Sequence, residues 1–480
     1  MEPAEAIPMA ADVAEIAVAQ QEAAPAEAAG GSRELLRLAA PLILSQSFMT
    51  VQIFIDTVLL ARHDALEMAA AFPAMMWFWL AFGLLQVTAG YTSTFVAQYT
   101  GAGRPERVGP AVWQGVHFSL IAGLLMLLLV PAAPLLMAIG GHTEELQALE
   151  TTYLQCLAFA ALPMLVMSAV NGFFAGRGQT WTVLGIEAVG TAVNVALAIP
   201  LISGRAGFPE WGIAGAGWAT VAGSVASALC ALGLFLLPRY RKQFATASGW
   251  RLERELFGRL MSYGGPAGMQ MFLDVLVFNL FTQMVGRLGE AEMGATSLAV
   301  RLNMVAFLPM LGLGQAVCVL VGQRLGANRP DLAERTTYTG LRWVFGYMCL
   351  VALAYVTIPE LLVSIFESDA KDAALFGEVA DIVPKLLLCI AIFSLADSVN
   401  LTFAFALRGA GDTRFVSLLT FALAWPIMVL PTAVSVWAGA SVYWAWGFAT
   451  AHIFAMAFCF GWRFRGGKWK SMRVIEEVPV

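Results

Sequence analysis

Apolar residues run along this chain in long stretches that short polar segments separate. Twelve stretches of roughly 20 to 28 residues are centred near positions 48, 82, 124, 161, 192, 225, 273, 307, 350, 394, 425 and 453. Because an α-helix rises about 1.5 Å per residue, each stretch can cross a hydrocarbon core of about 30 Å. The pattern predicts an all-α polytopic membrane protein with twelve transmembrane helices.

Composition supports a membrane protein and narrows its chemistry. Hydrophobic residues make up 59% of the 480 positions and charged residues 13%, whereas soluble proteins carry roughly 25% charged residues. The net charge of -5 and the absence of a basic, aromatic-rich stretch argue against a nucleic-acid partner. The six cysteines and four histidines are dispersed, without the spacing of a metal site. We therefore predict no metal and no cofactor.

The positive charges predict how the chain is oriented in the membrane. Lys and Arg are retained on the cytoplasmic side of membrane proteins. The two tails and every second loop hold 22 of the 28 Lys and Arg residues, the opposite loops hold five, and Arg301 lies inside a span. We expect both termini in the cytoplasm and the protein in the cell (inner) membrane.

The second half of the chain repeats the first at an offset of 225 residues. Pro266 then aligns with Pro41, Gln323 with Gln98, and Arg329-Pro330 with Arg104-Pro105. Repeats with an even number of spans lie the same way up, so the sequence predicts two pseudo-symmetric six-helix bundles related by an axis along the membrane normal. Two facing bundles favour a transporter, although channels and membrane enzymes also contain duplications. The predicted units are a disordered acidic tail at 1–32, an N-terminal bundle at 33–238, a cytoplasmic linker at 239–260, a C-terminal bundle at 261–465 and a cytoplasmic tail at 466–480.

Four carboxylates lie well inside predicted spans: Asp56, Glu187, Asp274 and Asp397. A charge near the bilayer centre costs roughly 2.5 to 3.5 kcal/mol on insertion scales, so each acid is a candidate functional group that binds a proton or a cation. The alternative is an acid neutralised by a neighbouring helix, which we favour for Glu187. We expect one cation site around Asp56 and a second around Asp274 and Asp397. Arg301 is a plausible ion-pair partner of Asp274, or it extends to the membrane surface.

Several segments form a distinctive set of motifs, among them FIDT at 54–57, QYTGAGRPE at 98–106, QRLGANRPD at 323–331 and ALRGAGDT at 406–413. Together they resemble the multidrug and toxic compound extrusion (MATE) transporters, most closely their NorM-like bacterial branch, and the resemblance covers about residues 33 to 465. It implies a monomeric exporter of amphipathic, often cationic drugs, driven by inward flow of protons or sodium ions and surrounded by membrane lipid. It also implies that Asp56, Asp274 and Asp397 couple the cation. The supporting residues are Asn194, Arg301, Asn303 and Asn400.

The sequence departs from that family at possible cation ligands. Ala198 replaces a second acid that some relatives have near Asn194, and Phe393 replaces a tyrosine one turn before Asp397. Leu298-Ala299 replaces a His-Gln pair, and Arg301 replaces a small residue. Because these changes remove neutral ligands and add a positive charge, they favour proton over sodium coupling.

Three other functions remain alternatives. Gly409 to Asp412 has the G-x-G-D form of intramembrane aspartyl proteases, but the chain lacks the Tyr-Asp pair that such enzymes require. We therefore predict that the protein is not an enzyme. A lipid-linked oligosaccharide flippase of the same superfamily would need interior cations in the first bundle, where no span carries one. A channel would need a selectivity-filter loop, and no segment resembles one.

Overall fold

Twelve long helices cross the molecule in the computed structural model, which describes residues 31–205, 207–364 and 373–476. The sequence predictions for residues 1–30 and for the last four positions lie outside the described residues. The helices are long and apolar enough to cross a membrane, and they confirm the predicted fold class. They are α1 Ser32–His63, α2 Ala65–Gly101, α3 Pro105–Met126, α4 Glu144–Gly176, α5 Thr180–Ser203, α6 Gly212–Phe235, α7 Arg254–Val285, α8 Glu290–Gly326, α9 Pro330–Thr357, α10 Ala373–Ala410, α11 Thr413–Trp437 and α12 Val442–Arg465.

Short helices accompany these spans. Leu129–Ala138 continues the course of α3 after a turn, and Pro359–Ser364 follows α9. Pro238–Phe244 lies in the stretch between α6 and α7. We refer to α1–α6 as the N-lobe and to α7–α12 as the C-lobe. Because the number of spans is even, α1 begins and α12 ends on the same side of the molecule, which we call the terminal face.

The loops at the terminal face repeat the same backbone geometry in both lobes. Gly103 and Asn328, 225 residues apart, both adopt positive φ angles, of 67° and 56°. The next residue in each loop donates its backbone N–H to the carbonyl five positions earlier, at 3.0 Å from Arg104 to Tyr99 and 2.8 Å from Arg329 to Arg324. A proline then starts the following helix, where its missing N–H costs nothing. The duplication therefore extends to local backbone conformation.

Apolar clusters fill each lobe, and the outward surface is apolar as well. One cluster consists mainly of N-lobe residues and includes the first part of α7, and two consist mainly of C-lobe residues, one near the terminal face and one near the opposite face. Large side chains such as Trp437 and Phe458 are exposed on the outside, as expected for a surface that meets lipid rather than water.

The two lobes meet at the terminal face through a pseudo-symmetric set of close helix contacts. Gly312 of α8 packs against Ile43 of α1, and in the equivalent contact Gly268 of α7 packs against Leu84 of α2. At the centre α2 crosses α8, and Gln98 Nε2 of α2 donates to the carbonyl of Gly409 at 3.0 Å. The first part of α1 belongs to a C-lobe apolar cluster, whereas its second half packs against α5. These contacts close the molecule on the terminal face.

Candidate functional site

The N-lobe site is built around Asp56 in the second half of α1. The Asp56 side chain is 7% exposed, and its Oδ1 has no hydrogen-bond partner among the described residues. Asn194 of α5 lies beside it, fully buried, and donates Nδ2 to the hydroxyl of Thr220 on α6 at 3.2 Å. Tyr153 of α4 is close enough to interact electrostatically with Asp56. A buried carboxylate oxygen without a donor is a place where a proton or small cation can bind.

Close packing of α5 on α6 positions Asn194 next to Asp56. A Cβ on Gly190 would lie 1.9 Å from Ser227 Oγ, and a Cβ on Gly223 would lie 2.9 Å from the Asn194 Cβ. Only glycine permits this approach. Asn194 is thus held rigidly against α6, with its own Oδ1 also buried and without a hydrogen-bond partner in the described chain.

The C-lobe site brings Asp397 of α10 together with two of the predicted supporting residues. Asn400, three positions along the same helix, donates Nδ2 to Asp397 Oδ1 at 2.9 Å. Asn303 of α8 accepts a hydrogen bond from Ser394 Oγ at 2.9 Å. The side chains of Asp397, Asn400 and Asn303 are all partly accessible. Asp397 therefore lies in a polar strip between α8 and α10.

Asp274 of α7 faces the same region. Its side chain is accessible even though it lies deep within the protein, as expected of a group on the wall of a cleft. It interacts electrostatically with Asp397 and with the guanidinium of Arg408 on α10. Arg408 is held by Gln270, whose Oε1 accepts from Nε at 3.1 Å and from Nη2 at 2.8 Å. Gln270 lies one turn before Asp274, on the same face of α7.

Of the two alternatives that the sequence left open for Arg301, the ion pair with Asp274 is not formed in the structure. Among the described residues, Arg301 has no carboxylate oxygen within 4.0 Å, and its side chain is exposed. The reason lies in the helix packing, because α7 packs mainly against α2 and α11, whereas α8 packs against α10 and α1. The positive charge that reaches Asp274 comes instead from Arg408, which the charge pattern of the sequence placed in a loop.

Apolar packing fills positions 298, 299 and 393, where the sequence departs from the family pattern. The Phe393 ring packs edge-on against Trp446, with centroids 6.1 Å apart. Leu298 and Ala299 are buried in the apolar cluster of the C-lobe near the face opposite the termini. None of these three side chains can supply an oxygen or nitrogen ligand. The described ligands near Asp397 are therefore Asn400, Asn303 and Ser394.

Glu187 also has a hydrogen-bond donor on a neighbouring helix. Asn171 of α4 donates Nδ2 to Glu187 Oε1 at 3.4 Å. The contact agrees with the packing role that we favoured for this residue, and it gives Glu187 no link to either candidate site. Within the described chain, no group of three His, Cys, Asp or Glu side chains could hold a metal ion.

The site residues that sequence reasoning missed include Tyr153, Gln270 and Arg408. Two of them left a signal in helical spacing. Gln270 precedes Asp274 by four positions, and Arg408 follows Asp397 by 11, which is close to three full turns. Both spacings place the pair on one helix face. Tyr153 left no such signal, because its proximity to Asp56 depends on how α4 packs in the lobe.

Comparison with known proteins identifies the family. The MatE family model matches residues 41–199 and 266–434, once in each half of the chain. The chain is 31% identical to the multidrug resistance protein PmpM of Pseudomonas aeruginosa, over 82% of each chain. It is 30% identical to a probable multidrug resistance protein NorM of Bradyrhizobium diazoefficiens, over 85% of this chain and 90% of the relative.

Solved structures share the fold. An outward-facing MATE-family multidrug resistance transporter of the MOP superfamily superposes with a TM-score of 0.82 at 18% identity, over 92% of this chain and 96% of the other. A MOP superfamily transporter from Pyrococcus furiosus gives 0.82 at 19% identity, over 92% and 96%. The resemblance that the sequence motifs indicated is confirmed. The chain belongs to the MatE family of multi-pass membrane transporters.

Proposed function

We propose that this protein is a secondary active multidrug exporter that couples outward movement of amphipathic, often cationic compounds to inward movement of protons. Relatives named as multidrug resistance proteins support the substrate class. The observation that carries the proposal is the set of interior carboxylates, Asp56 in one lobe and Asp274 with Asp397 in the other. None of them has an ion-pair partner within 4.0 Å among the described residues. Acids left unpaired at such cost are available to a transported cation.

The proposed transport cycle is alternating access between the two lobes. The moving units are residues 33–238 and 261–465, joined by the linker 239–260. The excess of Lys and Arg in the loops of the terminal face supports a cytoplasmic position for that face. The contacts that close this face then correspond to an outward-facing state in the cell (inner) membrane. The protein would act as a monomer, with lipid around its apolar surface.

The charges in the C-lobe explain how a cation and a substrate compete. Asp274 and Asp397 repel each other electrostatically, and Arg408 offsets part of that negative charge. A bound proton removes the remaining repulsion, and release of that proton leaves a negative wall that attracts a cationic drug. Apolar side chains at 298, 299 and 393 leave few neutral ligands for sodium, which supports proton coupling.

The proposal is tested by measuring uptake of a fluorescent lipophilic cation into proteoliposomes with an acidic lumen or a sodium-loaded lumen. The variants are Asp56→Asn, Asp274→Asn and Asp397→Asn, and Glu187→Gln is the matched control. We expect uptake in the acidic vesicles to fall at least tenfold in the three Asp variants and to persist in the control. Uptake driven by the sodium gradient instead would show that sodium, and not the proton, is the coupling ion. No uptake under either gradient by folded protein would favour the flippase alternative.

A further inference from the structure

The segment that follows α12 begins with residues that are packed into the C-lobe. We call residues 468–476 the clasp segment. It begins with the 3-10 turn Lys468–Ser471, in which Trp469 is completely buried. The Trp469 ring stacks on Phe464 with centroids 4.5 Å apart, and its Nε1 donates to the Phe464 carbonyl at 2.7 Å. Trp469 thus anchors the clasp segment to α12 and to the C-lobe core.

The other end of the clasp segment is hydrogen-bonded to the N-lobe. Val474 and Ile475 are buried in an apolar cluster that consists mostly of N-lobe residues and also contains Leu256 and Leu260 of α7. The Val474 backbone N–H donates to Gln98 Oε1 at 2.8 Å. Five residues after its C-lobe anchor, the chain therefore lies at the junction of the lobes, bonded to α2 of the N-lobe and packed against α7.

Glu476 occupies a cationic pocket of the N-lobe. Its carboxylate accepts hydrogen bonds from the Tyr99 hydroxyl at 2.5 Å, from Arg104 Nη2 at 2.9 Å and from Arg107 Nε at 3.1 Å. Tyr99 lies near the end of α2, and the two arginines flank the start of α3. Carboxylates that accept charge-assisted hydrogen bonds from two guanidinium groups are among the stronger polar contacts in proteins.

The middle of the clasp segment also touches the C-lobe part of the junction. Arg259 of α7 donates Nε to the Val474 carbonyl at 3.0 Å, and the Tyr263 hydroxyl donates to the Arg473 carbonyl at 3.3 Å. Arg473 in turn donates Nη2 to Asn328 Oδ1 at 3.2 Å. Asn328 lies in the loop equivalent to the one that carries Arg104. The clasp segment therefore connects the two symmetric loops of the terminal face.

We propose that the junction of the two lobes at the terminal face is a binding site for the clasp segment, and that the bound segment holds the lobes closed on that face. The site takes a short acidic-apolar peptide, with an apolar slot for Val474 and Ile475 and a cationic pocket for Glu476. When the lobes part on the terminal face, the segment must leave either the N-lobe or the C-lobe. It leaves the N-lobe, because Trp469 follows closely after the end of α12 and its large ring is completely buried in the C-lobe.

The clasp does not respond to pH in the neutral range. Burial opposes ionisation of Glu476, but the Tyr99 hydrogen bond and the charges of Arg107 and Arg104 outweigh it and hold the pKa of the docked carboxyl below its usual range. A carboxyl with a lowered pKa stabilises the docked state above its undocked pKa and loses that effect as the pH falls through the docked pKa. Docking is therefore constant between roughly pH 6 and pH 8 and weakens only in acid.

The test measures the separation of the lobes at the terminal face. Spin labels are placed at the exposed positions of Glu106→Cys and Ala327→Cys, one in each lobe, in a variant whose six native cysteines are replaced by alanine. We expect Glu476→Gln to raise the ratio of separated to closed molecules about tenfold, in keeping with the loss of one charge-assisted contact. Deletion of residues 468–480 should raise it further, and a peptide of residues 468–480 added to the deletion variant should lower it again.

The matched control is Glu334→Gln, which removes a partner of the clasp segment without touching the N-lobe. Lys470 Nζ lies 2.6 Å from Glu334 Oε2, and both residues belong to the C-lobe side. We expect the control to keep the distances of the unmodified protein. Unchanged distances in both Glu476→Gln and the deletion variant would overturn the clasp. The clasp rests on alternating access, and that part fails separately if a drug and a proton gradient never produce a separated population in the unmodified protein.

Discussion

The crossing of α2 and α8 leaves no room for a methyl group on two symmetric glycines. A Cβ on Gly101 would lie 1.9 Å from the carbonyl oxygen of Gln323, and a Cβ on Gly326 would lie 2.0 Å from the carbonyl oxygen of Gln98. Ordinary Cβ contacts are 3.4–4 Å. An alanine at either position therefore requires the two helices to move apart by about 1.5 Å, the difference between this close approach and the shortest ordinary contact.

The added methyl group destabilises the contact between the two lobes and not the interior of either lobe. Overpacking in a tight contact costs roughly 1 to 3 kcal/mol, and about 1.4 kcal/mol changes an equilibrium tenfold. Because the obstructing atoms belong to the backbone of the opposite lobe, the protein relieves the clash by separating the lobes. We expect Gly101→Ala and Gly326→Ala each to raise the population open at the terminal face about tenfold or more, without unfolding either lobe.

The assay is the distance between spin labels at positions 106 and 327, together with the thermal unfolding midpoint. Gly346→Ala in α9 is the matched control, since no described atom outside its own helix lies within 4 Å of the added carbon. Alanine there should be neutral or stabilising by up to about 1 kcal/mol, because glycine is the poorer helix former. Distances identical to those of the unmodified protein in both crossing variants would refute the inferred closure at this face.

Three further substitutions test other parts of the structure. Asp412→Ala should destabilise the protein by about 3 to 5 kcal/mol, measured by denaturation in detergent, because it leaves Arg463 of a nearly buried bidentate pair without its carboxylate. Arg177→Lys should lower stability by about 1 to 2 kcal/mol, since the guanidinium stacks on three aromatic rings. Arg408→Gln should change the pH dependence of drug uptake, whereas Arg301→Gln should leave it unchanged. A change in Arg301→Gln alone would mean that Arg301, and not Arg408, is the positive charge that acts on Asp274.

The spans were predictable because the membrane imposes one length and one polarity on every crossing helix. All twelve are visible as apolar stretches in the sequence, and the repeat at an offset of 225 predicted which helices are equivalent. The boundary between α3 and Leu129–Ala138 was not predictable, because a turn within a continuous apolar run leaves no change in polarity. Helix ends inside lipid are set by backbone geometry and neighbouring helices rather than by composition.

The sites were only partly predictable. Each interior acid was visible as a costly exception in an apolar span, and Asn194, which was predicted as a supporting residue, lies beside Asp56. The sequence offered Arg301 on the next span as one partner for Asp274, but adjacency in sequence does not determine adjacency in a helical bundle. Arg408 was missed because it lies close to the end of α10, where sequence reasoning places a loop.

The clasp segment shows a second limit of sequence reasoning. The stretch after α12 was predicted as a cytoplasmic tail, because its Lys and Arg residues belong to the positively charged side of the chain. Only Val474 and Ile475 are apolar next to Glu476, too few to predict a packed segment. Their burial depends on a slot that forms when the two lobes come together, and no local pattern in the segment encodes it.

The central claim is that drug export and proton entry are coupled through Asp56, Asp274 and Asp397. The most direct measurement records the lumenal pH of proteoliposomes with a trapped pH dye while a cationic drug is added outside, without any imposed proton gradient. We predict that drug uptake raises the lumenal pH in the unmodified protein and in Glu187→Gln, and that each Asp→Asn variant abolishes the rise. Drug uptake without a change in lumenal pH, or an undiminished rise in all three Asp variants, would contradict proton antiport through these residues.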